Sequence, residues 1–298
     1  MNTKIKPIDG VATALVTPFK NGEIDFEATK ALIERQIESG VCAIVVLGTT
    51  GESPTVTYEE RDELISFSKR VINGRAGLIV GTGSNSTKTA QRLTQDATRL
   101  GADALLCVTP YYNKSTPKSL ATHYKEIAKS TTLPVILYNV PSRTGVNLTS
   151  ETLCELCDIE NIVGIKEASG DICELERKIA TFGDSFWFYS GSDELVLPSY
   201  SVGAVGVISA VANVIPREMV TLCRLIEENK WQQARELTHK ISPLIRELYK
   251  EVNPVPVKCA LSLLELCENE LRLPLAPSTR EKQIMAELIS LKTQKTDT

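Results

Sequence analysis

The stretch Asn161-Ile162-Val163-Gly164-Ile165-Lys166-Glu167-Ala168-Ser169-Gly170 places a lysine at the end of a short apolar run, just before small residues break it. Ile162, Val163 and Ile165 around a glycine predict a strand buried on both faces, as in a parallel sheet. Desolvation disfavours an ammonium, so a lysine at such a strand end can present a neutral, nucleophilic amine, the group that forms Schiff bases with carbonyl compounds. The competing reading is that Lys166 snorkels to solvent or pairs with Glu167. Other chemistries are thinly represented. The two histidines, His123 and His239, are remote in sequence, and the C-x-x-C pair Cys154 and Cys157 has no second such pair. A metal site or a Ser-His-Asp hydrolase is therefore disfavoured.

The elements that must position Lys166 alternate along the chain. Strand-like runs are expected at Val11–Val16, Cys42–Leu47, Leu78–Val80, Ala104–Val108, Pro134–Tyr138, Ile162–Lys166, Phe186–Ser190 and Ala204–Ile208. Helix-like stretches follow each, opened by caps such as Asp25 and Thr57 and closed by glycines such as Gly40 and Gly101. Eight strand–helix pairs in a little over 200 residues predict an α/β protein, a closed (β/α)8 TIM barrel over residues 1–229. From Trp231 onward the strand signal stops. Helices are expected at Trp231–Lys250, Pro256–Asn269 and Thr279–Leu291, forming a C-terminal helical region over 230–298 with Lys292–Thr298 frayed. An open doubly wound sheet is the alternative, weakened because Gly81-Thr82-Gly83 lacks the third glycine of a dinucleotide fingerprint.

Bulk composition narrows the partners. A hydrophobic fraction of 42% and a charged fraction of 23% are those of an ordinary globular protein able to bury a full core. The formal net charge of -4, without a basic block, argues against nucleic acid or an anionic membrane surface. No apolar run approaches the roughly 20 residues of a membrane span, and Met1–Asp9 lacks the apolar core of a signal peptide. The eight cysteines are expected to be reduced and buried in a cytoplasmic protein.

In a barrel of this kind active sites sit at the C-terminal strand ends. Those ends carry Thr49 and Thr50 after strand two, Tyr111 and Tyr112 after strand four, and Tyr138 on strand five. Arg143 follows in the next loop, Lys166 ends strand six and Gly191 follows strand seven. The set holds an amine nucleophile, hydroxyl groups able to pass protons, and a guanidinium for a carboxylate. Individually, Tyr138 also reads as a core aromatic with its hydroxyl at the rim, and Arg143 as a surface ion pair.

Taken together the segments Gly48-Thr49-Thr50-Gly51-Glu52, Val108–Asn113, Tyr138–Gly145 and Gly164–Ala168 resemble the successive signatures of the dihydrodipicolinate synthase family, within the wider pyruvate-dependent aldolase superfamily. Asn253–Lys258 is similar to that family's C-terminal helical region, and the resemblance runs from about Val11 to Pro277. It implies condensation of pyruvate with aspartate semialdehyde on the lysine pathway, without a cofactor. Lys166 matches the imine-forming lysine, Tyr138 the general acid/base, and Thr49 and Tyr112 its partners in a proton relay. Thr50 matches the residue binding the pyruvate carboxylate, Arg143 the one holding the semialdehyde carboxylate, and Gly191 and Ile208 positions contributing carbonyls around the imine. Because the tyrosine matched by Tyr112 reaches in from a neighbouring subunit, the resemblance also implies an oligomer, a homotetramer built as a dimer of dimers.

Ser53, Asn85 and Tyr111 match positions of a cleft where lysine inhibits many members of that family. Here Tyr58 and Arg61 stand where histidines lie in one bacterial pattern, and Thr89 replaces a glutamate. A lysine ammonium wants a carboxylate there and Arg61 opposes it, so weak or absent inhibition by lysine is expected. The rival readings are a sister aldolase acting on polyhydroxylated substrates, which typically lacks the arginine matched by Arg143, a catalytically dead binding barrel, and a pyridoxal phosphate enzyme. For the last, no glycine-rich phosphate cradle is present.

Overall fold

Eight strands form where the apolar runs fall: β1 (Gly10–Ala14), β2 (Ala43–Val46), β3 (Gly77–Gly81), β4 (Ala104–Val108), β5 (Val135–Asn139), β6 (Ile162–Glu167), β7 (Trp187–Ser190) and β8 (Gly206–Ser209). The structure, a computed structural model, describes residues 4–6 and 8–293. Each strand pairs in parallel with its sequence neighbour, and β1 also pairs with β8, so the sheet closes and the open doubly wound alternative is excluded. Side chains alternate between two cores. Ala12, Val45, Ile79, Leu106 and Ile136 pack inside the barrel, whereas Val11, Ile44, Val80, Cys107 and Leu137 face the helices. This is the two-residue period of a strand covered on both sides. Gly81 fits the same packing, because a Cβ there would lie 2.0 Å from the Leu47 carbonyl oxygen, so the glycine serves strand contact and not a phosphate.

Helices begin where short polar side chains satisfy the first free amides. Asp25 caps Phe26–Glu38, and Thr57 with Glu60 forms a capping box on Tyr58–Ile72. The C-terminal helices run Trp231–Leu248, Val255–Leu263 and Glu281–Thr293. The expected helix Pro256–Asn269 thus ends early: Glu265 turns left-handed at φ 60° and Leu266 N–H closes back to Leu261 O, a helix-terminating turn. Of the expected frayed end, Lys292 and Thr293 are helical and 294–298 lie outside the described residues. An unexpected hairpin pairs Phe19–Lys20 with Glu23–Ile24 across Asn21-Gly22, both at positive φ. Cys107, Cys223 and Cys259 are buried as expected, but Cys154 and Cys173 are exposed on helix surfaces.

His123 gives the fold a pH dependence. It is 7% exposed, with Nδ1 2.9 Å from Thr87 Oγ1, and burial pulls its pKa from 6.5 down to about 4. Between those values the unfolded chain holds the proton and the folded chain does not. Stability is therefore complete above the unfolded pKa and falls by up to roughly 3 kcal/mol as pH drops through this window. His123→Gln is expected to flatten the corresponding part of a melting-temperature-versus-pH curve; an unchanged slope would contradict the assignment.

Candidate active site

The C-terminal strand ends enclose a cavity of about 210 Å³ that brings together Thr49, Thr50, Tyr138, Arg143, Lys166, Gly191 and Ile208. Tyr249 and Asn253, from the C-terminal region, also line it. Lys166 is 6% exposed, and its Nζ lies 4.4 Å from the centroid of the Tyr138 ring, itself 7% exposed. The two residues are direct partners in the β5–β6 register, flanked by Tyr189 on β7.

Lys166 faces inward because β6 changes phase. Val135 pairs with Ile162 but Ile136 pairs with Gly164, leaving Val163 as an extra, bulged residue. Ile162 and Ile165 both pack outward, three residues apart, while Val163 packs inside. A regular strand with Val163 inside would turn Lys166 toward the helices. Gly191 then leaves room for the lysine: a Cβ there would meet Ala168 Cβ at 2.7 Å, Glu167 O at 2.9 Å and Lys166 Cε at 3.1 Å.

Opposite the amine lies the turn of residues 48–52. Gly51 N–H and Glu52 N–H close back on Gly48 O and Thr49 O, while the N–H groups of Thr49 and Thr50 donate to no protein acceptor among the described residues. Two free amides and a threonine hydroxyl make a small anion site. Its base is anchored by Glu52, left-handed at φ 52°, whose carboxylate meets Lys258 Nζ at 2.5 Å with both side chains essentially unexposed. Burial lowers the Lys258 pKa and the Glu52 carboxylate opposes that. Asn253 joins the turn to the next group, since its Nδ2 donates to Thr50 Oγ1 at 2.9 Å and its carbonyl accepts from Arg143 Nη2 at 3.1 Å. Arg143 sits on a helical turn, Pro141–Thr144, not in an open loop.

Two phenols face this cavity and they are not equivalent. Tyr249 Oη donates to Asp193 Oδ2 at 2.7 Å, and burial, with the Asp193 charge, holds its pKa well above the usual value. Asp193 also takes the Ser209 hydroxyl and the Ala210 and Val211 amides, so the Tyr249 proton is committed. The Tyr138 hydroxyl, by contrast, is committed to no acceptor among the described residues. No hydrogen bond joins it to Thr49 within one chain, although both line the cavity. Tyr112 lies outside, 92% exposed, with φ 71°.

A second cavity, about 590 Å³, shares Thr49, Val140, Arg143 and Asn253 with the first and includes Ser53, Tyr58, Arg61, Thr89 and Tyr111. Asn85 is not part of its lining; its carbonyl accepts from Asn113 Nδ2 at 2.9 Å. Arg61 is buried, donates to Gly81 O at 2.6 Å, and is pulled down to about 10 by desolvation. Glu52 is the one carboxylate among the lining residues, and it is committed to Lys258. From sequence, Tyr249 and Asp193 are given no site role, and Asn253 and Lys258 enter only as part of a segment resembling the family's C-terminal region; the contacts that bring Tyr249, Asn253 and Lys258 to the site span more than 50 residues of chain. Among the described residues no cluster of three metal-ligating side chains occurs.

The profile of the dihydrodipicolinate synthetase family matches residues 7–291. A 4-hydroxy-tetrahydrodipicolinate synthase of Thermotoga neapolitana is 47% identical over 276 residues, 91% of this chain and 94% of that protein. The solved dihydrodipicolinate synthase of Thermotoga maritima superposes with a TM-score of 0.94 at 44% identity, covering 97% of this chain and 99% of that one. A monomeric dihydrodipicolinate synthase variant superposes equally well, at 0.94 and 44% identity over 96% and 97% of the two chains.

Proposed function

The chain belongs to the dihydrodipicolinate synthetase family, and on that footing we propose that it is a 4-hydroxy-tetrahydrodipicolinate synthase, condensing pyruvate with L-aspartate 4-semialdehyde in the diaminopimelate route of lysine biosynthesis. The observation that carries the site assignment is the buried Lys166 amine set against the Tyr138 ring inside a cavity with free amides at its far side. The Lys166 amine attacks the pyruvate ketone and water leaves, giving an imine. The protonated imine draws electrons from the adjacent methyl carbon, which loses a proton to form an enamine. That carbon attacks the semialdehyde aldehyde and forms the new carbon–carbon bond. The semialdehyde's own amine then attacks the imine carbon, closes the ring and expels Lys166. Tyr138 moves protons at the imine, and Thr49 with a partner subunit's tyrosine connects it to solvent. Thr50 and the free amides of its turn hold the pyruvate carboxylate, Arg143 the semialdehyde carboxylate, and Gly191 and Ile208 bound the imine with backbone.

The reading includes a homotetramer, a dimer of dimers in which Tyr112 completes the neighbour's site. An exposed aromatic held on left-handed backbone is otherwise an unexplained cost. Sedimentation showing only monomer at micromolar protein would contradict this. It also includes a cytoplasmic location, no cofactor, no nucleic acid or membrane partner, and a division near residue 229 into the barrel and a helical region that supplies Tyr249 and Asn253. No described helix is long and apolar enough to cross a membrane. A coupled assay tests the substrates: turnover of pyruvate with aspartate semialdehyde, and not with a polyhydroxylated aldehyde, is expected, and the reverse preference would overturn the assignment.

Ser53 and Tyr111, with Asn85 near them, mark the family's regulatory cleft, but the ammonium of lysine finds Arg61 there and no uncommitted carboxylate. Weak or absent inhibition is expected, and an IC50 for lysine in the low micromolar range would refute it.

A further inference from the structure

Behind the two strands that carry Lys166 and Tyr138 lies a closed circuit of side chains. Register places Asn139 opposite Glu167, one residue beyond the Tyr138–Lys166 pair, and the strand period turns both toward the helices. Asn139 Nδ2 donates to Glu167 Oε1 and Oε2 at 2.9 and 3.0 Å and to Asn147 Oδ1 at 2.8 Å. Asn147 Nδ2 donates to Glu174 Oε1 at 2.8 Å, and Lys178 Nζ bridges Glu174 at 2.9 Å and Glu167 at 2.8 Å. The Lys178 and Glu167 side chains are 1% and 3% exposed. Glu167 also accepts the Ser169 N–H at 2.8 Å, its carbonyl takes the Gly191 N–H at 2.7 Å, and Asn139 Oδ1 takes the Leu148 N–H at 2.9 Å.

We propose that this ring, Asn139, Asn147, Glu174, Lys178 and Glu167, is a positioning device that fixes the spacing and direction of Lys166 and Tyr138. The proposal rests on the function given above. A buried ion pair is a poor stabiliser compared with well-packed apolar residues of similar volume, so stability alone gives weak reason for charges here. What the ring does supply is geometry. It ties the ends of β5 and β6, the loop at Asn147–Leu148 and the helix Ile172–Phe182 into one rigid unit, directly adjoining the two reacting side chains. These residues touch no substrate; they act through their neighbours.

The test is the double variant Glu167→Gln/Lys178→Met, which removes the fully buried ion pair and leaves one charge in the ring, the Glu174 carboxylate, which is 23% exposed to solvent and keeps its hydrogen bond from Asn147. Its melting temperature is expected to stay close to that of the parent. The kcat is expected to fall about 10- to 100-fold with the KM for pyruvate within about threefold, and formation of the borohydride-trapped pyruvyl adduct should slow in parallel. Full kcat in the folded double variant would overturn the ring's role, as would a loss confined to melting temperature. Asn147→Ala opens the ring at a half-buried corner and serves if the double variant does not fold. The same kcat-against-KM split is expected at smaller size, and unchanged kcat contradicts the proposal. Parent protein that forms no adduct would instead overturn the Schiff-base function, and the proposal with it.

Discussion

Lys166→Met is expected to lower kcat by about 10⁴-fold or more, the scale of loss when a covalent nucleophile is removed. That corresponds to about 5.5 kcal/mol of activation free energy. The size follows from the site's poverty in alternatives. Among the described residues lining the cavity there is no other side-chain amine, and the nearby buried lysines, Lys178 and Lys258, are each bonded to a carboxylate outside it. Methionine keeps the length of the side chain and removes a buried charge-bearing group, so the barrel is expected to fold and melt near the parent temperature. Steady-state kinetics with circular dichroism separates the two effects. A folded variant retaining more than about one hundredth of the parent kcat would require another route to the enamine.

Tyr138→Phe is expected to lower kcat by about 10²- to 10³-fold with little change in the KM for pyruvate, because it deletes a proton-transfer group and leaves ring packing intact. The ring at 4.4 Å from Lys166 Nζ still walls the amine, so the imine forms, more slowly. Tyr249→Phe serves as the contrast. Its phenol is held in the protonated form by burial and by Asp193, and it cannot cycle a proton. If Tyr249→Phe reduced kcat as severely as Tyr138→Phe while leaving the fold intact, the roles of the two phenols would have to be exchanged.

Much of this site was legible in the sequence because a closed barrel converts strand ends into neighbours. Thr49 with Thr50, Tyr138 with Arg143, Lys166 and Gly191 come from four separate stretches of chain and share one cavity. The direction of Lys166 was not legible. The run Ile162–Ile165 is apolar throughout, so it carries no alternation to reveal that Val163 is bulged and that the phase shifts before the lysine. Glu167 illustrates the same limit: local proximity suggests a pair with Lys166, but the strand period sends the two side chains to opposite faces and Lys178 becomes the partner. Asn21-Gly22 carried a readable hairpin signal beside strands too short to show alternation. The anchors of the 48–52 turn, Lys258 and Asn253, lie some 200 residues away, beyond any local pattern.

Peptide mapping by mass spectrometry after treatment with pyruvate and borohydride tests the central claim most directly. A single reduced pyruvyl adduct on Lys166, absent from Lys178 and Lys258, is the predicted result. Folded protein that carries no adduct, or carries it on a different lysine, would contradict Lys166 as the Schiff-base nucleophile.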